Sequence, residues 1–165
     1  MPGAYPELKG EALASFRDAM SRVKAKAQQS LGSDYETRDM RPQDIGTTNP
    51  TWRFSLATTA GWNTIISNLT IDNNRWVAIY GLKYAMSSPI VSQLKATAGG
   101  AVKMDRNIEA VAENQFKCLY FDPILIEQNQ NLLLEAYVPG TTTNTAEVLA
   151  FQGVVTEKKG KVLAP

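Results

Sequence analysis

Histidine is absent from this 165-residue chain, and cysteine occurs once, at Cys118. Without histidine, no serine–histidine or cysteine–histidine dyad can form. A lone cysteine excludes an intrachain disulfide and any multi-cysteine zinc site, and it weakly favours assembly in a reducing compartment. No run approaches the roughly 20 apolar residues that span a bilayer. The N-terminus opens into a charged helical pattern rather than an apolar signal core, so a soluble protein made in the cytosol is expected. Charge of neither sign prevails, with 17 basic against 16 acidic residues. No global field therefore draws the chain to nucleic acid or to an anionic membrane.

What is present changes character near residue 50. Pro6 is placed for the first turn of a helix, and Glu7 suits the positive end of its dipole. Leu8, Ala12, Phe16, Ala19, Met20, Val23 and Ala27 recur at three- and four-residue spacing, which predicts a helix over 6–31 with Gly32 as its C-cap. The stripe is narrow and rich in alanine, and it suits packing against one surface. That surface is either the chain's own β-domain or another chain, and the spacing leaves both open. Arg17, Arg22, Lys24 and Lys26 are diluted by Glu7, Glu11 and Asp18, so contact with nucleic acid or a membrane is not expected. Residues 33–50 (SDYETRDMRPQDIGTTNP) keep neither helical nor strand period and read as a polar linker carrying the helix away from the body. The organisation expected is a helical arm over 1–32, a linker over 33–50 and a β-sandwich over 51–165.

Beyond Pro50, short strand-like runs follow at roughly ten-residue spacing. Trp52, Phe54 and Leu56 alternate on one side, and Ile65, Leu69 and Ile71 belong to a second run. Asp72-Asn73-Asn74 signals a turn. Arg75 to Ala85 is apolar on both faces at first and should be a central strand. Gly99-Gly100 joins two alternating runs as a hairpin. In the second of these, Val102, Met104, Arg106, Ile108 and Ala110 oppose Lys103, Asp105, Asn107 and Glu109, and a buried Arg106 would need a partner. Phe116 to Phe121, cut by Asp122-Pro123 and resumed by Ile124-Leu125-Ile126, then Leu132 to Val138 and Val148 to Val154 complete about eight strands. The class is mainly β: an antiparallel sandwich, by strand number a jelly roll, with an N-terminal helical arm.

Few residues suggest chemistry. Asp105 and Glu109 lie roughly 13 Å apart on an extended strand, too far for one metal. Asp72-Asn73-Asn74 and Asp34-x-Glu36 offer two oxygens each, where calcium takes six to eight. Gly99-Gly100 lacks the residues of a phosphate loop. No catalytic, metal or cofactor site is expected. Trp52 and Trp76 fit the core of alternating strands, and Cys118 fits as a small buried hydrophobe. Trp62, beside Gly61, is the candidate exposed aromatic.

The order of parts, with the runs VAIYGLKYAMSSPIVSQLKATAGGAVK and DPILIEQNQNLLLEAYV, resembles the jelly-roll capsid cement, or decoration, proteins of tailed bacteriophages. The resemblance implies a non-enzymatic virion protein assembled in the host cytoplasm. It would bind the outer surface of an icosahedral capsid as a homodimer or homotrimer and lock neighbouring capsomers. Its partner would be the major capsid protein, reached by the arm through Leu8, Ala12, Phe16, Met20, Val23 and Ala27, with Phe16, Met20 and Val23 as anchors. The alternative is a carbohydrate- or receptor-binding module of a viral tail or surface assembly, acting near Trp62 or the loop 140–145. A third reading has Arg17, Arg22, Lys24 and Lys26 facing packaged nucleic acid inside a virion.

Overall fold

In the computed structural model, which describes residues 10–47, 50–56, 59–84, 90–109, 118–140 and 146–161, two antiparallel sheets pack face to face beneath one N-terminal helix. The helix, α1, runs Gly10–Leu31. Gly32 ends it in the left-handed region, at φ 60°, with its N–H bonded to the Gln28 carbonyl at 3.0 Å. That conformation costs glycine nothing, and it makes Gly32 the C-cap that the sequence indicates. The helix start expected at Pro6 lies outside the described residues, as do Leu8, Ala110, Phe116 and most of the 140–145 loop.

Among the described residues nine strands follow: β1 (Tyr35–Asp39), β2 (Arg53–Ser55), β3 (Gly61–Thr70), β4 (Arg75–Tyr84), β5 (Gln93–Ala98), β6 (Ala101–Asn107), β7 (Cys118–Ile126), β8 (Asn131–Val138) and β9 (Ala146–Lys158). The first sheet runs β1-β9-β4-β7, with β2 also on β9, and the second runs β3-β8-β5-β6. The pairs nest around one hairpin. β5 meets β6 across Gly99-Gly100, and outward from it β4 meets β7, β3 meets β8 and β2 meets β9. Both hairpin glycines have positive φ, 59° and 80°, the conformation such a two-residue turn demands. The β4–β9 and β5–β8 pairs then close each sheet.

The core between the sheets is built by alternation. On β8, Leu132, Leu134, Ala136 and Val138 point inward, and on β5 Leu94, Ala96 and Ala98 do the same. β4 is central and buried along both faces, as its sequence predicts. Val77 and Ile79 join the core between the sheets, while Trp76, Ala78 and Tyr80 face the opposite way. A register shift between Ile79 and Gly81 then reverses the parity, so that Leu82 and Tyr84 point into the core.

The second face of β4 is buried because α1 lies on it. Ala19, Val23 and Ala27 are fully buried against Trp76, Ala78, Tyr80 and Val154, with Phe16 at the margin. The Phe16 and Tyr80 rings meet edge to face at 6.1 Å. Alanine at two of the contact positions lets the helix axis approach the sheet closely enough to cover the indole of Trp76. Salt links flank this contact, from Arg22 to Asp122 at 2.9 Å and from Lys26 to Glu127 at 2.7 Å.

Two expectations are corrected here. The helix is not an arm carried away from the body, because Phe16, Ala19, Val23 and Ala27 of its apolar stripe pack on the chain's own sheet. Nor is 33–50 a linker. Within it β1 pairs with β9 from Tyr35↔Lys158 to Asp39↔Val154, the 3-10 turn Pro42–Ile45 follows, and Met40 and Ile45 enter the core. The strand lacks an apolar period because its ties are polar. Thr37 and Thr156 share a hydroxyl hydrogen bond of 2.9 Å, and Arg38 Nε donates to Glu157 at 2.8 Å.

Candidate binding face

The two sheets differ in what covers them. The outer face of the first lies under α1, whereas no described element covers the outer face of the second. The bare face is the candidate site, and its side chains follow from strand alternation. On β8, Leu133, Glu135 and Tyr137 point outward, and on β5, Gln93, Lys95 and Thr97 do. Register aligns them in rows across four strands. One row reads Trp62, Tyr137, Gln93, Asn107, and the next reads Thr64, Glu135, Lys95, Asp105.

These side chains hold one another. The Trp62 and Tyr137 rings meet edge to face, 5.3 Å between centroids and 68° between planes. The Lys95 ammonium stands 4.3 Å from the Trp62 ring centre and 3.4 Å from a Glu135 carboxylate oxygen. Gln93 donates its amide N–H to Asp105. Lys95 is thereby paired within its row, Asp105 leaves that row one negative charge in excess, and the indole keeps 41% of its surface exposed. Trp62 and Val102, at 59%, are the large hydrophobic residues left exposed among those described, and they stand on opposite edge strands.

The structure places the sequence-derived candidates apart. Trp62 is exposed, as expected. Of the proposed arm interface, Phe16, Val23 and Ala27 pack on the chain's own sheet, Ala12 and Met20 are half-buried, and Leu8 is outside the described residues. Replacing Phe16, Met20 and Val23 would thus strip packing from the body rather than spare it. Lys95, Glu135, Tyr137 and Gln93 were not singled out from sequence. The alternation of β5 and β8 put them on the polar face, but only the register of β3 against β8 brings them to Trp62.

Elsewhere, a shallow cleft of about 540 Å³ lies beside α1, lined by Glu11, Asp18, Arg106, Tyr120 and Asp122 among others. Arg106 is exposed there, so it is spared the burial that would have demanded a partner. Burial pushes the Tyr120 phenol up to about 12, with help from the neighbouring Cys118 thiol. Cys118 is half-buried rather than buried, and the Gln152 amide N–H approaches its sulfur at 3.5 Å. Among the described residues no three Cys, Asp or Glu side chains gather to hold a metal, and no helix is long and apolar enough to cross a membrane. No protein-family model matches this chain, and no curated protein matches its sequence.

Proposed function

We propose that the chain is a non-enzymatic structural protein of a virion, a cement protein that binds the outer surface of an icosahedral capsid and strengthens contacts between capsomers. The observation that carries this reading is the nested strand order. The pairs β5·β6, β4·β7, β3·β8 and β2·β9 describe one long antiparallel ribbon folded over itself. We read this winding as a jelly roll, an architecture shared by viral capsid domains, lectins and cupins. The sequence runs quoted above favour the viral branch.

The helix supports the reading in a way different from the expected arm. Locked on one sheet, it turns a two-layer sandwich into a three-layer slab, a rigid body suited to bridging fixed points on a shell. Contact repeated over many copies makes modest individual interfaces cumulative, especially for a homodimer or homotrimer engaging several capsomers of the major capsid protein.

Co-sedimentation of the purified chain with empty expanded shells of its source virus tests this. Saturable, stoichiometric binding and a raised shell disassembly temperature are expected. Absence of binding to expanded shells and to their unexpanded precursors would overturn it.

A further inference from the structure

We propose that the bare outer face of the β3-β8-β5-β6 sheet is a binding site for a neutral glycan, with Trp62 as its stacking platform. This goes beyond the cement reading, because it assigns the slab a second, ligand-binding surface.

The argument begins with the indole. A tryptophan on a sheet face gains most when it is buried, yet Trp62 keeps 41% of its surface exposed while Tyr137 and Lys95 hold it in place. A ring fixed before binding loses little freedom on contact, which is the property of a built platform. Lys95 takes one face of the ring, so a sugar would stack on the opposite one, where an electron-rich aromatic surface attracts the weakly positive C–H bonds on one side of a pyranose.

The neighbouring groups fit hydroxyls. In the Trp62 row stand the Tyr137 phenol and the Gln93 and Asn107 carboxamides, and in the next row Thr64, Glu135 and Asp105. Carboxamides and carboxylates offer paired donors and acceptors that match neighbouring hydroxyls on a sugar ring. Four strands span about 14 Å, enough for a short oligosaccharide laid across them.

Charge disfavours an anionic ligand, since these rows set Lys95 against both Glu135 and Asp105. Lys95 is answered by Glu135 at 3.4 Å, and Asp105 is held by Gln93. No cation in these rows is left over for a phosphate or sulfate, which argues against nucleic acid, acidic polysaccharide or a lipid headgroup. Nor does the face suit a protein. Among the described residues the large exposed hydrophobics, Trp62 and Val102, stand on opposite edge strands and form no contiguous apolar centre of the kind obligate interfaces have.

Repetition on a shell would give such a site its force. A single contact of millimolar strength becomes an avid one when many copies face the same glycan-coated surface.

The test is a titration of the full chain with neutral gluco-, galacto- and manno-oligosaccharides, read by tryptophan fluorescence and by a glycan array, with heparin as the anionic probe. At least one neutral oligosaccharide should bind saturably with Kd of about 1 mM or tighter. Trp62→Ala should weaken that binding at least about tenfold. Trp62→Phe, which keeps a ring, should retain part of it, and Asn107→Ala should weaken it. Shell co-sedimentation of Trp62→Ala should match the parent chain. Failure of every neutral sugar at about 10 mM, binding to heparin alone, or binding that survives Trp62→Ala would overturn the inference. Loss of shell binding by Trp62→Ala would make this face the capsid contact and overturn it too, whereas failure of the parent chain to bind shells would strike only the cement reading.

Discussion

Arg38 and Asp44 meet in a two-point contact, 2.6 Å from Nη1 to one carboxylate oxygen and 2.8 Å from Nη2 to the other. The same guanidinium donates through Nε to Glu157 at 2.8 Å, and Arg75 Nε reaches the second oxygen of Glu157 at 2.7 Å. Asp44 and Glu157 are both buried, so four charges alternate in sign through the junction of β1, the 3-10 turn, β4 and β9. This network pins residues 33–50 to the body.

Removing one member strands the others, which costs about 3–5 kcal/mol at a buried pair. Arg38→Ala and Asp44→Ala should each lower stability by an amount of that order in chemical denaturation, and a smaller effect would show the network to be wet. The double variant should cost less than the sum of the two.

The same carboxylate sets an acid response. Burial would raise the Asp44 carboxyl, but hydrogen bonds from Arg38 and from the Arg41 backbone N–H outweigh it and hold it below the usual carboxylate range. A depressed folded value means that the stabilisation is complete above the unfolded value of 3.8 and is lost as pH falls toward the folded one. Asp39 acts in the opposite sense, because burial raises its carboxyl. Stability should therefore fall as pH drops below 3.8, and more steeply in the parent than in Asp44→Asn, as measured by thermal melts over acidic pH.

Covering the first sheet is the task of α1, so its loss should be felt by the body. Deleting residues 1–33 exposes Trp76, Ala78 and Tyr80 on a flat sheet, and the truncated chain should aggregate or bind a hydrophobic dye. Val23→Ala should cost about 1–2 kcal/mol. A soluble, dye-silent truncation would restore the picture of an independent arm.

Gly153 marks the closest backbone approach. A Cβ there would meet the Ala78 carbonyl oxygen at 2.7 Å and the Met40 sulfur at 2.8 Å. Met40 is a flexible chain end, but the carbonyl belongs to the paired strand β4 and cannot yield without disturbing the ladder. Gly153→Ala should destabilise by about 1–3 kcal/mol, readable in the denaturation midpoint.

Tyr84 stitches the β4 end to the segment after it. Its buried hydroxyl donates to Glu147 and accepts the backbone N–H groups of Ile90 and Val91 at 2.9 and 3.0 Å. Burial, reinforced by Glu147, raises this phenol well above its ordinary value. Tyr84→Phe removes all three of these hydrogen bonds at once and should cost about 2–4 kcal/mol. Faster amide exchange at Ile90 and Val91 would accompany it.

Local chemistry made much of the fold readable. Alternation placed the core residues of β5 and β8, Gly99-Gly100 placed the hairpin, Gly32 ended the helix, and the two-sided apolarity of β4 marked it as central. These signals lie within a few residues of one another, so a linear chain displays them. β1 was missed because YETRD is held by cross-strand hydroxyl and ion pairs, which leave no period in the sequence. Of the candidate face, Trp62 was visible beside Gly61. Its companions were not, since Lys95, Glu135 and Tyr137 reach it only through register.

The sequence by itself determined the class of element in most segments, the absence of histidine and disulfide chemistry, and one aromatic worth watching. Tertiary structure decided where the helix lies, which strands pair, and which polar side chains share a row. The physical reason is that backbone preference and side-chain periodicity are local properties. Whether an apolar stripe meets its own sheet or another chain, and which charges cancel on a sheet face, depends on contacts between residues far apart in the chain.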